Sequence, residues 1–357
     1  MKKLSKEAKF NLKTGFGTLV SNQSCIEAGK SLPWWIAIII GLVASFIPVI
    51  PVMTSIANTN GETFISSTYN YSFDKNATIL NVDLKNRGIE FEVGDDHYLT
   101  YKENGAVVNP TEPQKLSEYI NPESGQYDYI AYWLVDTLDK SISNYYNEYT
   151  TTQYVINTTN VRHGDDPEGT TYYIPTMFFY YKDGNALYLA KANSTSAANK
   201  FSGDFINVAG GTKLVERLLS VEGIAVPETI NDISRPYVAG VYKNYKAFYN
   251  ESYLDIKSKS LINSTFIYWG IYLGLTLFLG FLIFLLTRGK RNFNNYLKWY
   301  QCLSIAGWAS FSPGVLAMIL GFMLTSYAIM FYILLMGVRI MWLSMKQLSP
   351  ANYTAAK

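Results

Sequence analysis

Charge is missing from three long stretches of this 357-residue chain. Ser31–Ala57, Leu261–Thr287 and the run between Lys298 and Arg339 hold no Asp, Glu, Lys or Arg. Cysteine and histidine are nearly absent too, with two of each. Neither Cys25 nor Cys302 lies in the polar stretch 57–260, which excludes a disulfide framework there. The charge-free runs contain no carboxylate or histidine, which argues against a proton-coupled transporter. There is no P-loop, dinucleotide-binding glycine fingerprint, nucleophile elbow or zinc-protease helix, and Gly210-Gly211-Thr212-Lys213 lacks the upstream glycine of a Walker motif. A net charge of only +2 gives no polyanion-binding signal, so nucleic acid is not an expected partner.

The run from Lys298 to Arg339 would make a helix of roughly 60 Å at ~1.5 Å per residue, twice a hydrocarbon core of ~30 Å. A tight hairpin of two helices uses that length. With the two other runs, the expected fold is membrane α-helical: four transmembrane helices with a mixed α+β domain inserted between helices one and two. The expected boundaries are a cytoplasmic segment 1–31, a span 32–56, an extracytoplasmic domain 57–260, a span 261–287, a basic loop 288–302, a helical hairpin 303–348 and a tail 349–357. Lysines cluster before the first run, Arg288, Lys290, Arg291 and Lys298 follow the second, and Lys346 and Lys357 follow the last. The positive-inside rule then predicts a multi-pass protein of the cell membrane with both termini cytoplasmic. The first run is read as a retained span, because it is long and lacks a clear small-residue cleavage site. Residues 1–30 are read as an interfacial helix or a cytosolic tail.

Within the polar domain, Tyr98–Val108 reads as a hairpin turning at Asn104-Gly105, and Met177–Leu189 as another turning at Asp183-Gly184. Tyr129–Val135 reads as a third strand. Leu214, Val215, Leu218 and Leu219 make an apolar helical face within Gly211–Glu222, and Tyr237–Leu261 reads as a helix leading into the second span. Strands are expected early in the domain and helices late.

The basic segment Thr287-Arg-Gly-Lys-Arg-Asn-Phe-Asn-Asn-Tyr-Leu-Lys298 is followed by Gln301-Cys-Leu-Ser-Ile-Ala-Gly-Trp-Ala-Ser-Phe-Ser-Pro-Gly-Val-Leu316. This pattern, with the strand ending in Val135-Asp136-Thr137 and the early hairpin, resembles a bacterial family of polytopic membrane proteins of unknown function typified by the maltodextrin-utilisation protein YvdJ. The resemblance implies one span, an extracytoplasmic domain and a C-terminal helical bundle. It implies a loose association with carbohydrate uptake and brings no catalytic residues.

Both histidines adjoin paired acids, in Gly94-Asp95-Asp96-His97 and His163-Gly164-Asp165-Asp166. Brought together, His97, His163, Asp95, Asp96, Asp165 and Asp166 would suit a divalent cation. The same residues also suit plain surface turns, the expected reading, and no cofactor is predicted. Arg339 is the one charge inside a span, about seven residues before Lys346, and is expected to snorkel to the cytoplasmic headgroups. Pro313-Gly314 marks a kink or a broken helix, and Gly307 with its small neighbours suits close helix packing. The tyrosine-rich insert suits glycan stacking or a partner interface. The expected role is a non-enzymatic accessory or scaffold protein in the bilayer. It would engage a ligand or another membrane complex, with a sugar transporter as the family-guided partner. The alternatives are a membrane-spanning transporter subunit and a cation-binding extracytoplasmic sensor.

Overall fold

A computed structural model describes residues 13–66, 73–109, 113–121, 127–135, 173–189, 199–289, 292 and 294–348. The chain divides into two units, one formed by Met1–Asn58 with Ser260–Lys357, the other by Thr59–Lys259.

The first unit is helical. Residues 13–17 form a helical turn. They are followed by α1 (Asn22–Ser31), α2 (Trp34–Phe46), a 3-10 turn at Ile47–Val49 and α3 (Ile50–Asn58). Pro48 and Pro51 fall at the junction, where each removes a backbone donor and tightens the helix without ending it. The 53-residue α7 (Arg235–Thr287) contributes its segment from Ser260 onward to this unit. Then come α8 (Trp299–Met323), a 3-10 turn at Thr325–Tyr327 and α9 (Ala328–Trp342), which ends in a π-helical turn at Leu343–Gln347. Among the described residues, four helical segments are long and apolar enough to cross a membrane: Trp34–Asn58, Arg235–Thr287, Trp299–Met323 and Thr325–Gln347. Their outward faces expose Ile39, Phe278, Phe281, Ile319, Leu334 and Met341, an apolar surface that water does not tolerate at this extent.

α8 is the most enclosed span. Gly307 faces Ala37, Gly314 faces Ala44 and Gly321 faces Pro51, a constant offset, so α2–α3 and α8 run parallel. Trp269 of α7 donates its indole N–H to the Leu42 carbonyl and the Ser45 hydroxyl of α2 (3.2 and 3.0 Å). The hydroxyls of Thr276 and Tyr332 bond across α7 and α9 at 2.8 Å. The cationic ends meet: Lys30 donates to the Tyr296 hydroxyl (2.8 Å), Arg288 to the Leu297 carbonyl (2.5 Å), and Asn292 to the Leu348 carbonyl (3.0 Å).

The second unit is mixed α/β. Among the described residues it holds α4 (Gly61–Ser66), α5 (Phe73–Asn86), α6 (Leu214–Leu219), the start of α7 and nine strands. β1 (Ile89–Val93), β2 (Leu99–Glu103), β3 (Ala106–Val107) and β9 (Thr212–Lys213) form an antiparallel sheet ordered β3-β2-β1-β9. β4 (Gln114–Asn121), β5 (Tyr127–Leu134), β6 (Tyr173–Tyr181), β7 (Gly184–Leu189) and β8 (Asn199–Asp204) form the second sheet in sequence order, with β5 and β6 parallel.

The helix α5 departs from the expectation of strands early in this unit. Its face Ala77, Leu80 and Leu84 is buried, but Asn76, Thr78 and Asn81 are buried beside it and blur the apolar stripe. The β2–β3 turn has Asn104 and Gly105 at positive φ (49° and 82°), the conformation that a two-residue hairpin turn demands. The β6–β7 turn lies one residue earlier than expected. Tyr181 pairs with Gly184, so Lys182-Asp183 make the loop and Gly184 opens β7. Gly184 answers a steric need there, because a Cβ would press on the Gly203 carbonyl and the Tyr181 ring.

The core of this unit is aromatic. Phe91 stacks on Tyr180 at 4.5 Å, Tyr132 lies 4.7 Å from Phe178, and Phe201 meets Tyr249 edge-on at 4.6 Å. Burying this many phenols requires partners. Asn81 donates its amide to the Tyr245 oxygen, and the Tyr245 and Tyr132 hydroxyls share a bond. Burial pushes the phenols of Tyr132, Tyr180, Tyr245 and Tyr249 well up, so they stay neutral, and Tyr132 and Tyr245 serve as hydrogen-bonding groups. Tyr245→Phe strands the Asn81 amide and the Tyr132 hydroxyl in this core. A loss of about 2–3 kcal/mol in unfolding free energy is expected, against under ~1 kcal/mol for exposed Tyr98→Phe, read by thermal or denaturant unfolding.

Candidate functional site

Only half of the candidate cation site, Asp95, Asp96 and His97, lies among the described residues. Asp95, Asp96 and His97 are exposed in the β1–β2 turn. The His97 N–H bonds the Gly94 carbonyl (3.0 Å), the Asp96 carboxylate accepts from the Tyr98 N–H (3.1 Å), and His97 sits at φ 62°. Asp96 thus closes an Asx turn. No group of three or more His, Cys, Asp or Glu suited to a metal occurs among the described residues, and His163, Asp165 and Asp166 lie outside them.

Immediately after that turn the chain builds a cleft. The Leu99 N–H bonds the Lys182 carbonyl (2.7 Å), which brings the start of β2 to the β6–β7 loop. The Val108 N–H bonds the Tyr101 carbonyl (3.0 Å) and the Val135 N–H bonds the Tyr180 carbonyl (3.0 Å). The space left between the two sheets is about 340 Å³. Tyr98, Tyr181, Lys182, Asp96, Thr100 and Asn109 supply its rings and polar groups, over a floor of Leu99, Val108, Leu134 and Val135. The Lys182 ammonium stands 5.0 Å from the centre of the Tyr98 ring, a cation–π contact that orients this 44% exposed aromatic. A concave, partly apolar surface with a few convergent polar groups is the usual form of a small-molecule site. The hairpin turns were readable as turns. The cleft between them was not, because it depends on two segments some eighty residues apart.

A second constellation surrounds Arg339. Pro313 lies inside α8 and has no N–H, so the Ala309 carbonyl four residues earlier lacks its helical donor. Arg339 supplies one: its Nη1 donates to the Ala309 carbonyl at 2.9 Å. Its Nε donates to the Asn22 side-chain oxygen (3.0 Å), and its Nη2 donates to the Thr18 carbonyl and the Cys25 Sγ (3.4 Å to sulfur). The guanidinium is therefore turned into the protein, with acceptors on three separate segments. The N-terminal segment is correspondingly part of this unit. Thr18, Cys25 and Ala28 are buried, and a Cβ on Gly29 would collide with Ile305. A cleft of about 260 Å³ lies beside the guanidinium, lined by Asn22, Ser312, Pro313, Leu335, Val338 and Trp342. α8 passes through Pro313-Gly314 unbroken.

Gly307 and Gly314 occupy the seam between α8 and α2. A Cβ on Gly307 would stand 2.8 Å from the Ala37 carbonyl, and one on Gly314 2.5 Å from the Ala44 carbonyl. In comparisons with family models, curated proteins and solved structures, none matches this chain.

Proposed function

We propose that the chain is an integral membrane accessory protein that binds and does not catalyse, with the Tyr98–Lys182 cleft as its ligand site. The single observation that carries this reading is the cleft: a cation-held, exposed ring beside carboxylate, amide, hydroxyl and ammonium groups over an apolar floor. That lining suits a polyhydroxylated ligand, whose sugar rings offer both an apolar face for stacking and hydroxyls for hydrogen bonds. The likeness to the family of the maltodextrin-utilisation protein makes a short glucan the first ligand to try and a sugar-uptake complex the first partner to seek.

The gathering of Lys30, Arg288, Lys298 and Lys346 at one end of the helical unit supports a cytoplasmic placement for that end. On this reading residues 59–259 face the outside. Native Cys25 and Cys302 are fully buried and silent to maleimide, so an added cysteine reports alone. A cysteine at exposed Asp183 is expected to react with an impermeant maleimide in intact cells, and one at exposed Asn295 is not.

Titration of the full detergent-solubilised chain with maltoheptaose is expected to saturate. Tyr98→Ala is expected to weaken binding at least tenfold, while Glu222→Ala, an exposed change elsewhere on the same unit, leaves it unchanged. Absence of saturable binding to any of a panel of linear glucans sinks the ligand class. Flux of maltoheptaose into liposomes holding the pure protein would instead favour a transport subunit.

A further inference from the structure

The helical unit has a second concave surface, unrelated to Arg339. A groove of about 330 Å³ opens between α2, α7 and α8, within the roughly 300–1,000 Å³ range of small-molecule sites. Gly41 and Gly307 form part of its floor, and the absence of side chains there lets the groove deepen along the α2–α8 seam. Its walls are Ala37, Ile38, Leu273, Leu277 and Leu303. The Thr276 hydroxyl, which also borders it, is already bonded to the Tyr272 carbonyl (3.0 Å) and to Tyr332. The interior therefore offers contact and almost no hydrogen bonding.

The groove has one distinctive end. Trp34, Trp299 and Tyr300 line it there, at the parallel N-termini of α2 and α8. Aromatic rings of this kind mark the headgroup level of a bilayer. Lys298 precedes α8 and holds its ammonium 5.9 Å from the Tyr300 ring. Lys30 lies four residues before Trp34, at the end of α1, and is tied to Tyr296, both through the hydroxyl and with its ammonium 5.3 Å from the ring. Among the described residues flanking the spans at this end, Lys30, Arg288, Lys298 and Lys346 face a single acid, Glu27, which accepts from the Gln23 amide at 3.4 Å. An apolar slot with an aromatic rim, with Lys298 on its Tyr300 and Lys30 four residues before its Trp34, matches a lipid with one negative headgroup.

We propose that this groove seats an acyl chain of an anionic phospholipid, with its phosphate held by Lys298 and Lys30. The inference rests on the reading of this unit as membrane-spanning and is independent of the glucan cleft. The occupant is a lipid and not a partner helix, because a helix of ~10 Å diameter does not enter a slot of this size.

The test uses the purified full chain in neutral detergent, with dioleoylphosphatidylglycerol or dioleoylphosphatidylcholine added. Binding is read by native mass spectrometry and by the shift in melting temperature. The wild type is expected to prefer phosphatidylglycerol by about thirtyfold, roughly fivefold for each lysine near the phosphate. The pair Lys30→Gln and Lys298→Gln is expected to erase that preference, whereas Lys346→Gln keeps it. Leu277→Trp, at a half-exposed wall position, is expected to fill the slot and abolish retention of either lipid. Inorganic phosphate alone is expected to give no shift. Equal affinity for the two lipids in the wild type overturns the proposal. So does a loss with Lys346→Gln as large as with the pair, which would mean a diffuse surface charge. Should Leu277→Trp fail to fold, the lysine variants still decide.

Discussion

Arg339→Leu is expected to cost about 3–5 kcal/mol and to release the N-terminal segment from the helical unit, even though leucine suits a membrane helix better than arginine does. Three protein oxygens lose a charged donor at once: the carbonyls of Ala309 and Thr18 and the side chain of Asn22. Each buried acceptor left without a partner costs roughly 1–3 kcal/mol. Arg339→Lys is expected to fail nearly as badly. A single ammonium lacks the planar fork whose Nε, Nη1 and Nη2 reach three separate acceptors at once. The diagnostic experiment is a double-mutant cycle with Pro313→Ala. Alanine at 313 restores an N–H to α8 and gives the Ala309 carbonyl its own helical donor. In that background Arg339→Leu is expected to cost about 1–2 kcal/mol less than in the wild type, read by thermal unfolding in a fixed detergent. Strict additivity would mean that the guanidinium does not serve the proline gap. Protease susceptibility of residues 13–31 provides the second reading, since their anchor is lost with Arg339 and not with Pro313.

This pair shows where the sequence was legible and where it was not. The charge-free runs locate four long apolar helices because hydrophobic length is a local property. The Asn104-Gly105 turn is legible for the same reason, since positive φ is a demand on two adjacent residues. At Asp183-Gly184 the same rule placed the turn one residue late, because the glycine there serves close approach to Gly203 and not φ. Arg339 and Pro313 were each visible as unusual residues, but their joint meaning was not. The oxygens that hold Arg339 lie 30 residues away at Ala309 and more than 300 away at Thr18 and Asn22. Snorkelling is the expectation when only the distance to Lys346 is known, and the contacts with Thr18 and Asn22 are invisible at that range. The helix α5 was missed on similar grounds. Its Asn81 looks like a polar interruption until Tyr245, 164 residues on, is seen to receive its amide.

The glycine seam should respond to single methyl groups, and should do so selectively. Association of helices within a bilayer gains little from excluding water, so it depends on how closely the backbones approach. At Gly314 an added Cβ would meet the Ala44 carbonyl at 2.5 Å and at Gly307 the Ala37 carbonyl at 2.8 Å, both backbone atoms that cannot swing aside. Gly314→Ala and Gly307→Ala are each expected to destabilise the helical unit by about 1–3 kcal/mol through overpacking. The two positions are two turns apart on one face, and the first shift of α2 away from α8 relieves part of the second clash. The double variant is therefore expected to cost less than the sum of the singles. The contrasting positions make the claim specific. Gly41 faces only the Gly307 backbone at 3.6 Å, an ordinary contact, and nothing lies within 4 Å of a Cβ at Gly270, Gly274 or Gly337. Alanine at these last three is expected to be neutral or to stabilise by up to ~1 kcal/mol, since it favours the helix over glycine. A uniform response, in which all five alanines stabilise, would mean that intrinsic helix propensity governs the bundle and that the α2–α8 seam is not held by close approach. A clash confined to Gly307 and Gly314 would instead tie the stability of the bundle to the same seam that forms the floor of the lipid groove.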